Sequence, residues 1–220
     1  MKSLSKAVAM ASLLSAGVMG AQVANAEVSA SVGIASAYLW RGQDLSASSD
    51  GVESNGAVPA FSGSLDYSNE SGLYAGIWTS SGDFGSGTET DLYVGFAGEA
   101  GSIGYDISYA TYLYTGEDDI DDVAEVIVGV STDAFGAKVY IPTDSDADYT
   151  YITLGAGMGD YSFTLGANTG TDAGDYTHAD VSYAYNEKLS FTYSQVLSED
   201  TEDAIDSGGI FVVSYSLPIE

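Results

Sequence analysis

Apolar and polar residues alternate with a period of two from Val28 almost to the end of the chain. This is the pattern of β-strands whose two faces meet different surroundings. Twelve segments show it, beginning near Val28, Ala57, Leu73, Thr88, Ile103, Val123, Phe135, Tyr149, Tyr161, Tyr176, Leu189 and Gly208. Each predicts a strand of about ten residues. The apolar faces read Val28, Ala30, Val32, Ile34, Tyr38, Trp40 in the first and Leu92, Val94, Phe96 in the fourth. They read Ala124, Val126, Val128, Val130 in the sixth and Phe211, Val213, Tyr215, Leu217 in the twelfth. In the third strand either parity could face out. The opposite faces carry small and polar residues, such as Ser29, Ser31 and Gly33, or Ser162, Thr164, Gly166 and Asn168.

The connections alternate in length. "GQDLSASSDGVESNG", "GDFGSG", "GEDDID", "DSDAD", "GTDAGD" and "SEDTEDAIDS" are long and acidic, while "NESG", "GEAGS", "TDA", "GD" and "NEK" are short. Long loops at one end and tight turns at the other predict an all-β fold, a transmembrane antiparallel up-and-down barrel of about twelve strands. Long acidic loops would face outward and short turns the periplasm. An even strand count returns both termini to the short-turn end.

Alternation alone does not say which face is inside, and a secreted β-sandwich would put the apolar face in. Its exposed faces would then carry abundant mixed charge. Here the polar faces carry serine, glycine, threonine and alanine, and no acid falls on an apolar face. A charge on a lipid-facing wall costs about 2–4 kcal/mol at mid-bilayer, so that absence favours lipid contact. Tyr67, Tyr105, Tyr161, Tyr185 and Tyr215 gather near the short turns, as a periplasmic aromatic girdle would. Tyr38 and Trp40 are assigned to an outer girdle.

Charge narrows the function classes. The formal net charge is −27, with 32 acidic residues against five lysines and arginines. Lys2 and Lys6 precede an apolar stretch and an Ala24-Asn25-Ala26 cleavage pattern. Residues 1–26 therefore read as a Sec signal peptide and 27–220 as one barrel domain. Only Arg41, Lys138 and Lys188 remain as cations, which excludes nucleic acid as a partner. There is no cysteine, so disulfides and thiolate metal sites are excluded.

Parity sends Arg41, Asp66, Glu89, Asp91, Asp106, Glu125, Lys138, His178 and Asp180 into the lumen. Arg41, Glu89, Asp91, Glu125, His178 and Asp180 fall in its outer half, where Tyr112, Tyr114, Tyr149 and Tyr151 could narrow the passage. Two readings stand side by side. One is a charged constriction with cation preference. The other is a set of charges that satisfy one another, with Arg41 tethered among Glu89, Asp91 and Glu125. "DSDAD", Asp144–Asp148, opens like an EF-hand loop, but Tyr149 stands where its glycine belongs and Gly155 where its glutamate belongs. No metal site or cofactor is expected beyond loose Ca2+ or Mg2+ at the acidic loops. His178 is the only histidine, and no nucleophile-elbow or zinc motif accompanies it. No catalytic residue is assigned and no enzyme is expected.

"SAYLWRG", "VPAFSGSLDYSNESGLYAGIW" and "ETDLYVGFAGEAGSIGYD" resemble the TorF family of porins, formerly known as a conserved bacterial family of unknown function. The resemblance is good over roughly Ser29 to Tyr114 and weaker beyond. It implies an outer-membrane barrel in a Gram-negative bacterium, with lipid, lipopolysaccharide and small solutes as its partners. The expected function is a passive small-solute channel with cation preference. The alternative is a non-conducting structural or adhesive barrel working through its acidic loops. No feature of the sequence specifies the solute or an oligomeric state.

Overall fold

The computed structural model describes residues 26–46, 58–83, 87–115, 123–170, 174–200 and 208–219. The signal peptide reading, apart from Ala26, lies outside the described residues, as do most acids of the long loops. Fourteen strands form in chain order. They are β1 (Glu27–Ala35), β2 (Leu39–Trp40), β3 (Gln43–Asp44), β4 (Ala60–Ser68), β5 (Leu73–Asp83), β6 (Gly87–Ala100) and β7 (Ile103–Tyr114). The rest are β8 (Val123–Ser131), β9 (Phe135–Pro142), β10 (Tyr149–Met158), β11 (Tyr161–Gly170), β12 (Tyr176–Ala184), β13 (Leu189–Glu199) and β14 (Ile210–Ile219).

All but β2 and β3 make one closed antiparallel barrel. Twelve wall strands follow one another around it, and β1 closes the ring by pairing with both β4 and β14. Closure leaves no unpaired edge, so every wall strand has two ladders for its backbone polar groups. The described residues contain no helix.

The apolar faces point outward. Val32, Val94, Ile107, Val130, Leu154, Leu165 and Phe211 are each at least 45 % exposed. A surface of this kind fits hydrocarbon and not water. The third predicted strand, β5, now has a parity: Leu73 and Ile77 face out, Tyr74 and Trp78 face in. Tyr67, Tyr105, Tyr161, Tyr185 and Tyr215 are exposed, each within or opposite the last turns of the wall at the short-turn end.

The sequence reading fails at the end of the first strand. It carries the alternation through Tyr38 and Trp40 and puts both in an outer girdle. The strand instead ends at Ala35. Ser36 donates its N–H to the Val213 carbonyl, and its Oγ accepts from the Val213 N–H at 3.0 Å. That side chain takes the place of the next ladder carbonyl and lets the backbone leave the wall. The chain then turns into the barrel. Tyr38 is wholly buried against Ala60 and Trp78, with Trp40 packed beside it. Neither faces lipid.

Candidate functional site in the barrel lumen

The inward segment is a small hairpin. β2 and β3 pair Leu39 with Asp44 and Trp40 with Gln43, and Leu45 donates its N–H to the Tyr38 carbonyl at 2.8 Å. Its two loop residues, Arg41 and Gly42, have φ of 47° and 85°. Positive φ at both central positions is the requirement of a type I′ turn, and glycine meets it without strain. Arg41 does not, and it is the only non-glycine with positive φ among the described residues. A left-handed arginine costs roughly 1–2 kcal/mol, so other contacts must hold it.

Those contacts come from walls all around the barrel. Ala37 and Leu39 pack on Val212 of β14. The Tyr38 hydroxyl donates to Glu89 of β6 at 2.6 Å. The Gln43 amide donates to the Tyr176 hydroxyl of β12 at 3.1 Å. Gly42 lies on the His178 ring so closely that a Cβ there would collide with it. A segment that touches β5, β6, β8, β12 and β14 crosses the lumen. It narrows the half nearer the long loops.

Arg41 is the centre of this narrowing. One of its terminal nitrogens lies 2.7 Å from both Glu125 carboxylate oxygens. Its guanidinium carbon sits 4.5 Å from the Trp40 ring centroid, 4.5 Å from Tyr151 and 4.9 Å from Tyr140. Tyr149 is at 5.9 Å. Cations within about 6 Å of an aromatic face gain from its quadrupole, more so when desolvated. The side chains of Arg41 and Glu125 are 7 % and 0 % exposed. This is a buried, hydrogen-bonded ion pair in an aromatic enclosure.

Four of the inward carboxylates share a simple feature, which is that tyrosines hold them. Glu125 accepts from Tyr112 at 2.7 Å and Tyr149 at 2.9 Å as well as from Arg41. Asp106 accepts from Tyr74 at 2.7 Å. Asp66 accepts from Tyr93 and, at 2.9 Å, from Ser64. Glu89 accepts from Tyr38. A phenol satisfies a carboxylate's need for a donor without neutralising its charge. Five of the seventeen tyrosines are used this way, and composition alone did not reveal it. Asp91 sits two residues from Glu89 on the same face, 3 % exposed, with its Oδ1 lacking a hydrogen-bond partner among the described residues. Lys138 lies across Gly129 from Asp106 in the ladder, a glycine whose missing side chain lets the two approach.

A second relay braces the same region. Ser194 donates to Asp180 at 2.6 Å, Asp180 Oδ1 lies 3.0 Å from His178 Nδ1, and His178 Nε2 lies 2.7 Å from the Tyr151 hydroxyl. With Nδ1 protonated toward the carboxylate, Nε2 accepts from the phenol. Gly166 stands opposite His178, and a Cβ there would overlap both His178 and Tyr151. The alternation of β12 sends the imidazole inward with Tyr176, and opposite it β13 carries one extra residue, Leu197, in a bulge. The serine bonds to the aspartate and not to the imidazole, and the hydroxyl that meets the imidazole is the Tyr151 phenol.

Of the expected lumen residues, Arg41, Glu89, Asp91, Glu125, His178 and Asp180 do meet in the long-loop half. Asp66, Asp106 and Lys138 lie nearer the short turns. Arg41 reaches the lumen on a hairpin and not from the wall. The sequence reading missed Tyr38, Trp40 and Tyr140 as lumen residues. Among the described residues no group of three or more histidines, aspartates or glutamates is placed to hold a metal ion.

The barrel and its closure can now be set beside known proteins. Residues 20–195 match a family described as a bacterial protein of unknown function, Gcw_chp. The chain belongs to the Gcw_chp family. That description names no porin, and the TorF likeness remains a resemblance. No curated protein sequence matches the chain. Among solved structures it is similar to the outer membrane phospholipase A of Escherichia coli, at 13% identity and a TM-score of 0.47, covering 87% of this chain and 92% of that one. The Salmonella typhi outer membrane phospholipase dimer with bound calcium matches at 11% identity and TM-score 0.45, over 87% and 90% of the two chains. OccAB4 of Acinetobacter baumannii matches at 8% identity and TM-score 0.36, over 73% of this chain and 54% of that one. Nothing of those proteins' activities is carried over to this Gcw_chp chain.

Proposed function

We propose that this Gcw_chp protein is an outer-membrane channel for small solutes, cation-preferring, with a lumen narrowed at its long-loop end by the Arg41 hairpin. The observation that carries the reading is the way the lumen holds its carboxylates. Phenols and hydroxyls bind most of them, and such donors supply hydrogen bonds without bringing a positive charge. Arg41 and Lys138 are the only permanent cations set against them. A lumen of that sign, behind an acidic vestibule, concentrates cations and repels anions, and salt weakens the effect. The short-turn half supports passage. Its inward residues, such as Ser29, Ser31, Gly104, Gly157 and Ser216, are small, and each is at least partly exposed. The acidic loops would hold Ca2+ or Mg2+ loosely, beside lipopolysaccharide phosphates.

The second reading is a non-conducting barrel. The observation favouring it is the hairpin itself, which spans the lumen. Recording of purified, refolded protein in planar bilayers separates the two. The channel reading expects discrete conductance steps that grow more frequent in Arg41→Ala. Silence in both proteins favours the closed barrel.

A further inference from the structure

We infer that the enclosure around Arg41 is a receptor for a solute carrying a guanidinium group, and that Arg41 occupies it as a tethered stand-in for that solute. The inference deepens the channel reading and rests on it for the route by which a solute arrives. Three observations carry it.

The enclosure matches a planar cation. Rings of Tyr140, Tyr149 and Tyr151 line it from β9 and β10, all within 6 Å of the guanidinium carbon. The Glu125 carboxylate closes it from β8. Flat aromatic faces with a carboxylate edge suit guanidinium better than a compact, strongly hydrated ammonium.

The wall builds the enclosure without help from Arg41. Tyr112 and Tyr149 fix the Glu125 carboxylate. His178, Asp180 and Ser194 fix Tyr151. When the hairpin leaves, a preorganised site with a buried, uncompensated carboxylate remains, and preorganisation lowers the cost of binding.

The occupant is held under strain. Arg41 has a left-handed backbone, φ 47°, with its side chain bound in the enclosure. Releasing it recovers that strain, which weakens the tethered arginine as a competitor. A free guanidinium solute makes the same contacts without a strained backbone. Its binding and the withdrawal of the hairpin are then one equilibrium, shifted by the solute's preference for the vacated site.

The test uses the full barrel. The chain has no cysteine, so Ser46→Cys creates a single thiol at a position 1 % exposed, at the hairpin's end. A water-soluble thiol reagent should label it slowly. Methylguanidinium, well below denaturing concentration, should speed labelling by about fivefold or more as the withdrawn population rises. Methylammonium at the same concentration should leave the rate nearly unchanged. Adding Glu125→Gln should abolish the difference between the two cations. Ala37→Cys, 3 % exposed on the other limb, is the second reporter if the first barrel does not refold. Heat-modifiable electrophoretic mobility confirms that the barrel is intact throughout. No acceleration by methylguanidinium, or equal acceleration by both cations, overturns the inference. The readout does not depend on conduction. A barrel that is silent in bilayers yet responds in this way keeps the receptor and loses the channel.

Discussion

Arg41 combines a buried charge, a strained backbone and four aromatic neighbours, so its removal has opposing consequences. Breaking a buried ion pair costs about 3–5 kcal/mol where the remaining charge has nowhere to turn. Here Glu125 keeps two tyrosine donors, and alanine at position 41 frees the hairpin to relax. Arg41→Ala should therefore destabilise by only about 2 kcal/mol, read as a fall in the urea midpoint. A loss beyond the full range for a stranded charge would mean that the hairpin is part of the barrel's foundation. Gly166→Ala tests the relay: the added methyl should separate His178 from Tyr151, at a cost of about 1–3 kcal/mol in the same assay. Sequence parity led to Arg41 and its partner Glu125 by a route the backbone does not take. A continuing strand would point that side chain into the lumen, and the hairpin puts it there because the whole segment lies inside. What could have separated them is Gly42 after Arg41, the glycine a type I′ turn wants at its second central position.

The wall strands were legible because each has one apolar and one polar face, and a register slip would exchange the two. The same periodicity misled at Tyr38 and Trp40. Alternation records that neighbouring residues meet different surroundings, and it continues through a segment buried on both sides. In the hairpin those surroundings are β14 on one side and β5 and β6 on the other, with lipid on neither. The wall itself makes a firm expectation. Leu165 is 54 % exposed on the outer face of β11, between Leu154 and Ala179. Leu165→Arg should cost about 2–4 kcal/mol of folding free energy in lipid vesicles. A barrel whose outer face met water would scarcely notice it.

On the scale of the molecule, the loops give the orientation and the lumen gives the charge. Cysteines introduced at Glu99, in the short-turn end of β6, and at Asp119, in an acidic loop outside the described residues, should differ in intact cells. An impermeant reagent should label Asp119→Cys and spare Glu99→Cys, and the reverse pattern would invert the barrel. Composition made the acidity plain, yet the use of tyrosine was hidden. Among the seventeen tyrosines, some read as girdle and Tyr112, Tyr114, Tyr149 and Tyr151 as a constriction, but none as a carboxylate's donor until the fold brought Tyr74 to Asp106, Tyr93 to Asp66, and Tyr112 and Tyr149 to Glu125. Those pairings join residues from 13 to 32 positions apart in the chain, and they depend on strand register that alternation does not specify. Their consequence is that phenols hold these carboxylates, joined by a cation only at Glu125, and the proposed cation preference rests on that. The reversal potential of the refolded protein in a planar bilayer under a KCl gradient tests this most directly. Its sign should be that of potassium permeating faster than chloride, with a preference that falls as total salt rises. A reversal potential of the opposite sign would contradict it.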